Sequence, residues 1–357
     1  MRVLFLQQQP CMRALKYAVG LAAARPTWRL GFACQGRTLT EWYGCGDELF
    51  ERWWRLGPEP AAQLASVVEE FRPHVVHSHN LPDRLTVLAL EVAGGVPVVH
   101  DCHDLQSLRR TPYEDGFPEP ADPLALEKRA VEGSSTLVAV SDEMLAEIES
   151  RHRPPTVRAT FPNYALARDL PAVLPPPTRP WEGPPRLVYQ GTLSANGGHY
   201  DLRELFSRIA EEGVELDIYP GRPAPEYEEL AASSPRVRLH ATLDPARLFE
   251  AMVDYDFGWA GFNASLNRPH IDTALPNKAF DYLGCGLPVL TLDHRALGRL
   301  IDEHGVGVRL STLDGLADRL RAVDMESLRR RVAKARFDLT VEANVHRIVE
   351  LYEAVAA

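Results

Sequence analysis

Two short stretches combine imidazole, carboxylate and amide side chains directly after apolar runs. Ser78-His79-Asn80 follows HVVH (74–77), and Asp101-Cys102-His103-Asp104 follows VPVVH (96–100). Histidine exchanges protons near neutral pH, which makes it a common acid or base. One histidine in such a place is more often structural; two neighbouring clusters mark a site. His77, His79, His100 and His103 raise zinc as an alternative. Alternation along a strand would separate His77 and His100 from the loop residues, and no spacing typical of a zinc site occurs, so no metal is expected. A third polar group, Gln7-Gln8-Gln9, follows VLFL (3–6). Its amides suit a hydroxyl-rich ligand, or form an ordinary polar loop.

The second half carries groups suited to an anion. Gly191 leads into Thr192-Leu193-Ser194-Ala195-Asn196-Gly197-Gly198, and glycines between a strand and a helix let backbone amides approach a phosphate. Tyr219-Pro220-Gly221-Arg222 ends the next apolar run and suits a base or a phosphate. Most informative is Leu275-Pro276-Asn277-Lys278-Ala279-Phe280-Asp281. Phe280 and Leu283 share the inward face of a short helix, while Lys278 and Asp281, three residues apart, meet on the exposed face. Read plainly, they form a surface ion pair. Read as chemistry, Lys278 neutralises a phosphate and Asp281 accepts hydrogen bonds from a ribose diol. The Pro276-Asn277 start turns free helix amides toward the same anion. Asp254-Tyr255-Asp256 precedes a strand and reads as a helix-to-strand turn rather than a metal motif.

Rigid elements must hold these groups, and the apolar pattern supplies them. Runs at 3–6, 74–77, 96–100 and 135–140 alternate with amphipathic stretches at 12–24, 60–71, 82–93 and 123–133. The pattern restarts with RLVYQG (186–191) and runs on through 214–219, 237–241, 257–261 and 287–292. Strands apolar throughout, separated by helices, build parallel sheets covered on both faces, and ligands bind beyond the carboxyl ends of such strands. PAVLPPPTRPWEGPP (171–185) is rich in proline and reads as a linker between two doubly wound domains. A last helix, about 341–355, suits either domain.

The 357 residues, 45% hydrophobic and 25% charged, have room for two such domains and lie outside the disordered and disulfide-scaffold classes. A net charge of −10 argues against nucleic-acid binding, though not against a local anion pocket. Only Lys16, Lys128, Lys278 and Lys334 are lysines, so each is informative. Five cysteines without a CxxC pair fit a reduced, cytoplasmic protein. No apolar run reaches the roughly 18 residues of a membrane span, and the N-terminus lacks the form of a signal peptide. Contact with a membrane surface stays open: Trp42, Trp53 and Trp54 suit an acceptor or membrane surface, or fill a core. No GxGxxG follows a strand, so a dehydrogenase is not expected.

Taken in order, HSHNLPD, VPVVHDCHDL, TLVAVSDEM, FPNY, LVYQGTL and LPNKAFDYLGCGLPV resemble the GT-B glycosyltransferases, most of all glycosyltransferase family 4, over essentially the whole chain. The resemblance implies an α/β fold with two Rossmann-like domains and an interdomain cleft. Residues 1–170 would form the acceptor-side domain, with a helix at 341–357 packing back on it; 171–185 the linker; and 186–340 the nucleotide-sugar-binding domain. It implies sugar transfer from a nucleoside-diphosphate sugar, with retention, and without metal or other cofactor. The acceptor is a saccharide, a lipid-linked molecule or a small molecule. The family's histidine beside the transferred sugar matches His103, with Asp104 as its catalytic neighbour, and Gln9, His79 and Asn80 fall on the acceptor side. The ribose-binding carboxylate matches Asp281. Gly191, Thr192, Gly221, Arg222, Asn277 and Lys278 complete the donor-binding set. The chain departs from the family where the first Glu of E-x7-E falls on Thr273, and where the basic pair of the glycine loop falls on Thr192 and Gly197. Phosphate charge is then left to Lys278, with help from Arg222, Arg268 or His199. Two other readings stay open: a nucleotide-sugar epimerase of GT-B type, and a non-catalytic subunit, which the missing basic pair favours.

Overall fold

A computed structural model describes residues 1–111, 120–177 and 183–357. The chain forms two compact units: residues 1–109, 120–163 and 341–357 make the first, and 110–111, 164–177 and 183–340 the second.

The first unit holds β1 (Arg2–Gln7), β2 (Arg29–Cys34), β3 (Arg52–Arg55), β4 (Val75–His79), β5 (Val98–Cys102), β6 (Thr136–Ala139) and β7 (Arg158–Thr160). They form one sheet in the order β3-β2-β1-β4-β5-β6-β7, parallel throughout. The central strands are buried along their whole length because both faces carry helices. Among those helices are α1 (Met12–Ala24) and, from the last stretch of chain, α2 (His346–Ala356). The expected segments at 60–71, 82–93 and 123–133 appear as Pro60–Phe71, Arg84–Val92 and Pro123–Gly133. Leu4, Leu6, Leu64, Phe71, Val76 and Val98 share one core cluster, where each buried aliphatic side chain contributes about 1.5–3 kcal/mol.

The second unit holds β8 (Arg186–Gly191), β9 (Glu215–Pro220), β10 (Val237–Leu239), β11 (Phe257–Trp259), β12 (Val289–Leu292) and β13 (Gly307–Leu310), ordered β10-β9-β8-β11-β12-β13. Every pairing is again parallel. In each sheet the order turns back on itself, between β1 and β4 and between β8 and β11. Connections leave such a point in opposite directions and open a crevice at the carboxyl ends of the strands.

Four strands escape the apolar-run reading. β2 is buried but interrupted by Gly31, where an added Cβ would stand 2.8 Å from the Trp54 ring. β3, β7 and β13 are edge strands with exposed or half-exposed positions and lack a continuous apolar run. The division between units falls between Asn163 and Tyr164 rather than at 170. Tyr164 packs edge-on against Phe280 at 5.3 Å, Ala165 bridges to Thr340, and Leu170 and Leu174 fill the space beside Gly284 and Gly286. The first part of the expected linker therefore belongs to the second unit's packing; residues 178–182 lie outside the described residues.

Candidate functional site

In the first unit, β4 and β5 run side by side with Ser78 opposite His100 and His79 opposite Asp101. Alternation sends His77, His79 and Asp101 to one face, and Ser78 and His100 to the other. On the first face Arg13 from α1 donates to both Asp101 oxygens at 3.0 Å, and the His77 Nε2 lies 3.2 Å from one of them. The Tyr352 hydroxyl from α2 meets the His77 Nδ1, and the His79 Nδ1 stands 3.7 Å from the carboxylate. Burial opposes a charge on Asp101, but Arg13 and the His77 hydrogen bond outweigh it and hold the carboxyl well below its usual range. Burial pushes His77 and His79 down, so both are neutral. Ligand atoms of His77, His79 and Asp101 lie within 4.8 Å of one another, a spacing a metal could use. Arg13 already occupies both carboxylate oxygens, and its permanent charge opposes a second cation there.

On the other face a buried chain runs from Asp83 through His100 and Thr86 to Ser78, with contacts of 3.5, 3.2 and 2.8 Å. Burial pushes Asp83 up to about 8 and His100 down to about 4.

Beyond the strand ends, Asn80 acts as a splint. Its Oδ1 accepts from the His103 amide at 3.2 Å, and its Nδ2 donates to the Asp104 carbonyl. His103 is half-buried, its ring 6.2 Å from that of His79, and its Nδ1 makes no hydrogen bond among the described residues. Burial holds the imidazole down, in its neutral form. Gln9 has its amide spent on the loop opposite, accepting from the Arg37 amide at 3.0 Å and donating to carbonyls of Pro10 and Arg37 at 3.2 Å. Of the expected acceptor-side residues, then, Gln9 and Asn80 brace loops and His79 is fully buried beneath the turn. His103 and Asp104 remain half-buried at the strand end.

In the second unit, β8 ends at Gly191 with φ +122°, a conformation that favours glycine. The Gly221 amide donates to the Gly191 carbonyl at 2.9 Å, closing the two strand ends on each other, while Arg222 is exposed. Lys278 lies in the first turn of α3 (Asn277–Gly284) and does not face solvent beside Asp281; it is only 6% exposed. The reason is the partner four residues on: Tyr282 packs across Gly258, where an added Cβ would fall 2.1 Å from the tyrosine ring, and residues i and i+4 share a face. The ammonium donates to the Tyr189 hydroxyl at 2.9 Å and lies 4.2, 5.2 and 5.4 Å from the ring centres of Tyr189, Phe262 and Tyr200. The Tyr189 hydroxyl in turn donates to the Thr192 carbonyl. No carboxylate among the described residues pairs with Lys278, and burial pushes it down to about 7. Asp281, half-buried, accepts from the Gln190 side chain at 3.0 Å.

The glycine loop is less open than its composition suggests. The Gly197 amide donates to Asp201 at 3.0 Å and the Gly198 amide to Asn196 at 2.9 Å. Arg268 is held by Asp272 at 3.1 Å and by the Asp293 carbonyl.

The family model described as "Glycosyl transferase 4-like domain" matches residues 2–164. Among solved structures, a glycosyltransferase from Rickettsia africae ESF-5 superposes with TM-score 0.69 at 12% identity, covering 99% of this chain and 98% of that one. Anabaena Alr3699/HepE in complex with UDP gives 0.69 at 15%, with 99% and 100% covered. The lipopolysaccharide outer core galactosyltransferase WaaB gives 0.69 at 12%, with 99% of each chain covered. No curated protein matches. The chain has the GT-B fold and resembles glycosyltransferase family 4.

On this GT-B frame the sequence reading located the strand ends but missed what braces them. Arg13 and Tyr352 were not singled out, although a buried arginine is rare unless paired; Arg13 precedes Tyr17 by one helical turn and donates to its hydroxyl at 3.0 Å. Asn267, fully buried, accepts from the Arg110 amide at 2.8 Å and donates to the Thr111 hydroxyl at 2.7 Å, and no sequence pattern marks it. Trp53 stacks on Phe32 at 4.5 Å and Trp54 meets Phe71 edge-on, whereas Trp42 is 44% exposed. No helix among the described residues is long and apolar enough to cross a membrane.

Proposed function

We propose that the protein is a glycosyltransferase that takes a sugar from a nucleoside-diphosphate sugar, with the nucleotide held at the ends of β8 and β9 and the first turn of α3 in the second unit. One observation carries the reading: Lys278, a buried ammonium without a carboxylate partner among the described residues, lies beside Gly191, where an added Cβ would approach its Nζ to 3.9 Å. Burying a charge without a counter-ion is costly, so the site suits an incoming anion, and a diphosphate supplies one. The reading assigns Asp281, which accepts from Gln190, to a ribose diol, and the first amides of α3 add partial positive charge. As the diphosphate leaves, Lys278 offsets the charge gathering on it, and a group already in place does so without reorganisation. His103, matched to the family's histidine beside the transferred sugar, is assigned to the reacting sugar in the first unit, with Asp104 next to it. The resemblance makes retention the expected stereochemistry. The complexes of Anabaena Alr3699/HepE with UDP and with UDP-glucose make a uridine donor the first to try.

The test is incubation with UDP-glucose, then GDP-, ADP- and dTDP-sugars, against saccharide, lipid-linked and small-molecule acceptors. Acceptor-dependent release of nucleoside diphosphate supports the reading, and proton NMR of the product gives the anomeric outcome. Conversion of the sugar without release marks an epimerase. Absence of both, with the donor bound, marks a binding subunit, the reading that Thr192 and Gly197 in place of the basic pair favour.

A further inference from the structure

The surroundings of Lys278 are unlike those of the other buried cation described above. Arg13 is matched by a carboxylate, whereas Lys278 has, among the described residues, one hydroxyl and three aromatic rings. Aromatic faces attract a cation but carry no net charge, and they cannot replace the water removed from an ammonium. An amine so enclosed is held near the point where it gives up its proton, and anything bringing negative charge to Gly191 draws the proton back. We propose that Lys278 takes up a proton from solvent when a diphosphate binds beside Gly191, so that donor affinity is coupled to pH through this one amine. The inference rests on the donor-site reading given above.

Among the described residues, the following titratable groups surround this pocket, with His270 beyond His199, ring to ring at 5.4 Å. Tyr189 comes from β8, and His199 and Tyr200 come from the loop that follows it, with their rings 4.2 Å apart. His294 lies behind Phe262, accepting from its amide at 3.0 Å, and burial pushes it down to about 4, so it stays neutral. Asp281 and Tyr282 share α3 with Lys278; Asp281 is tied to Gln190, and burial raises the Tyr282 hydroxyl beyond physiological pH. His199, ring to ring with Phe262 at 5.7 Å, is the competitor the experiment must separate.

The free amine stands at about 7, and a bound diphosphate raises it. Proton uptake then grows from about half a proton per ligand at pH 7 toward one at pH 8. Affinity falls by up to about tenfold per pH unit above neutrality, until the amine of the complex also loses its proton.

The test is isothermal titration calorimetry of the full chain with UDP at pH 8, where the terminal phosphate of the free nucleotide is already doubly ionised, in buffers of differing ionisation enthalpy. The slope of measured enthalpy against buffer enthalpy counts protons. The expected slope approaches one for the natural protein and for His199→Gln, and zero for Lys278→Arg, because a guanidinium stays charged throughout. Between pH 7.5 and 8.5 the natural protein loses several-fold in UDP affinity while Lys278→Arg stays flat. A slope near zero in the natural protein, an unchanged slope in Lys278→Arg, or a slope abolished by His199→Gln overturns the proposal and leaves the donor site standing. Failure of UDP, GDP, ADP and dTDP alike to bind overturns the donor-site reading and the proposal with it.

Discussion

At the ends of β4 and β5 the buried charge is answered from every side: Asp101 by Arg13, His77 by Tyr352 and Asp101, all at 3% exposure or less. Beside β8, among the described residues, an ammonium is buried with one hydroxyl for a partner. Both lie near the turning point of a doubly wound sheet, at the same end of the strands, yet they do different work. A matched set of charges braces the fold and asks nothing of a ligand. An unmatched charge lowers the stability of the empty protein, and in the reading proposed here an anion offsets it.

The largest effect that would sharpen this contrast is on stability. Arg13→Ala strands the Asp101 carboxylate in the core and should destabilise the first unit by about 3–5 kcal/mol, seen as an earlier transition in urea. Lys278→Met should leave stability unchanged or raise it. If both substitutions destabilise equally, the distinction fails. In function the order reverses: Lys278→Ala should cost about 2–5 kcal/mol in transfer, as truncating one partner of a buried charge pair does. Near-normal transfer rates in that variant would move the phosphate site elsewhere, to Arg222 or His199. Next in size, Asp281→Asn should weaken nucleotide binding by about 1.5–3 kcal/mol, the range of a hydrogen bond to a charged group, with an unchanged melting temperature. Calorimetry showing no loss of affinity would remove the ribose assignment.

The response to pH is of similar size to the Asp281 effect, and its sign differs between the units. His77, His79, His100 and His103 have folded values below the ordinary 6.5. Their contribution is present above pH 6.5 and lost as pH falls. For His100, at about 4, this is about 2 kcal/mol between pH 7 and pH 5. Asp83, raised from 3.8 to about 8, works the other way: its contribution is present below pH 3.8 and lost as pH rises through 8. Lys278, lowered from 10.5 to about 7, penalises the second unit most below pH 7, and that penalty shrinks as pH rises toward 10.5. From pH 7 upward the second unit should gain stability while the first loses some, and urea curves at pH 7 and pH 9 read both. Parallel shifts would break the comparison.

The sequence made the central strands readable because β1, β4, β5 and β6 are buried on both faces and therefore carry unbroken apolar runs. Edge strands are wetted on one side and blend into loops. The strand-end residues were readable for the same reason, since they follow the runs. What could not be read was direction. Lys278 and Asp281 obey helical spacing, but which of them turns inward depends on Tyr282 seating itself on Gly258 in another strand. Partners 88 and 275 residues away, as for Arg13 with Asp101 and His77 with Tyr352, leave no local trace at all.

That last contact has a consequence for how the protein is made. His77 and Tyr352 are 275 residues apart, and the second unit's main stretch, 164–340, is synthesised between them. At about 5–20 residues per second on the ribosome, roughly 14–55 s separate the emergence of the two partners. In that interval every strand of the second unit, β8 to β13, becomes available and its sheet can form. The first unit, begun earlier, waits for α2 to supply the Tyr352 partner of His77, while Tyr17 of α1 already packs on that ring. The part of the chain translated first is therefore completed last.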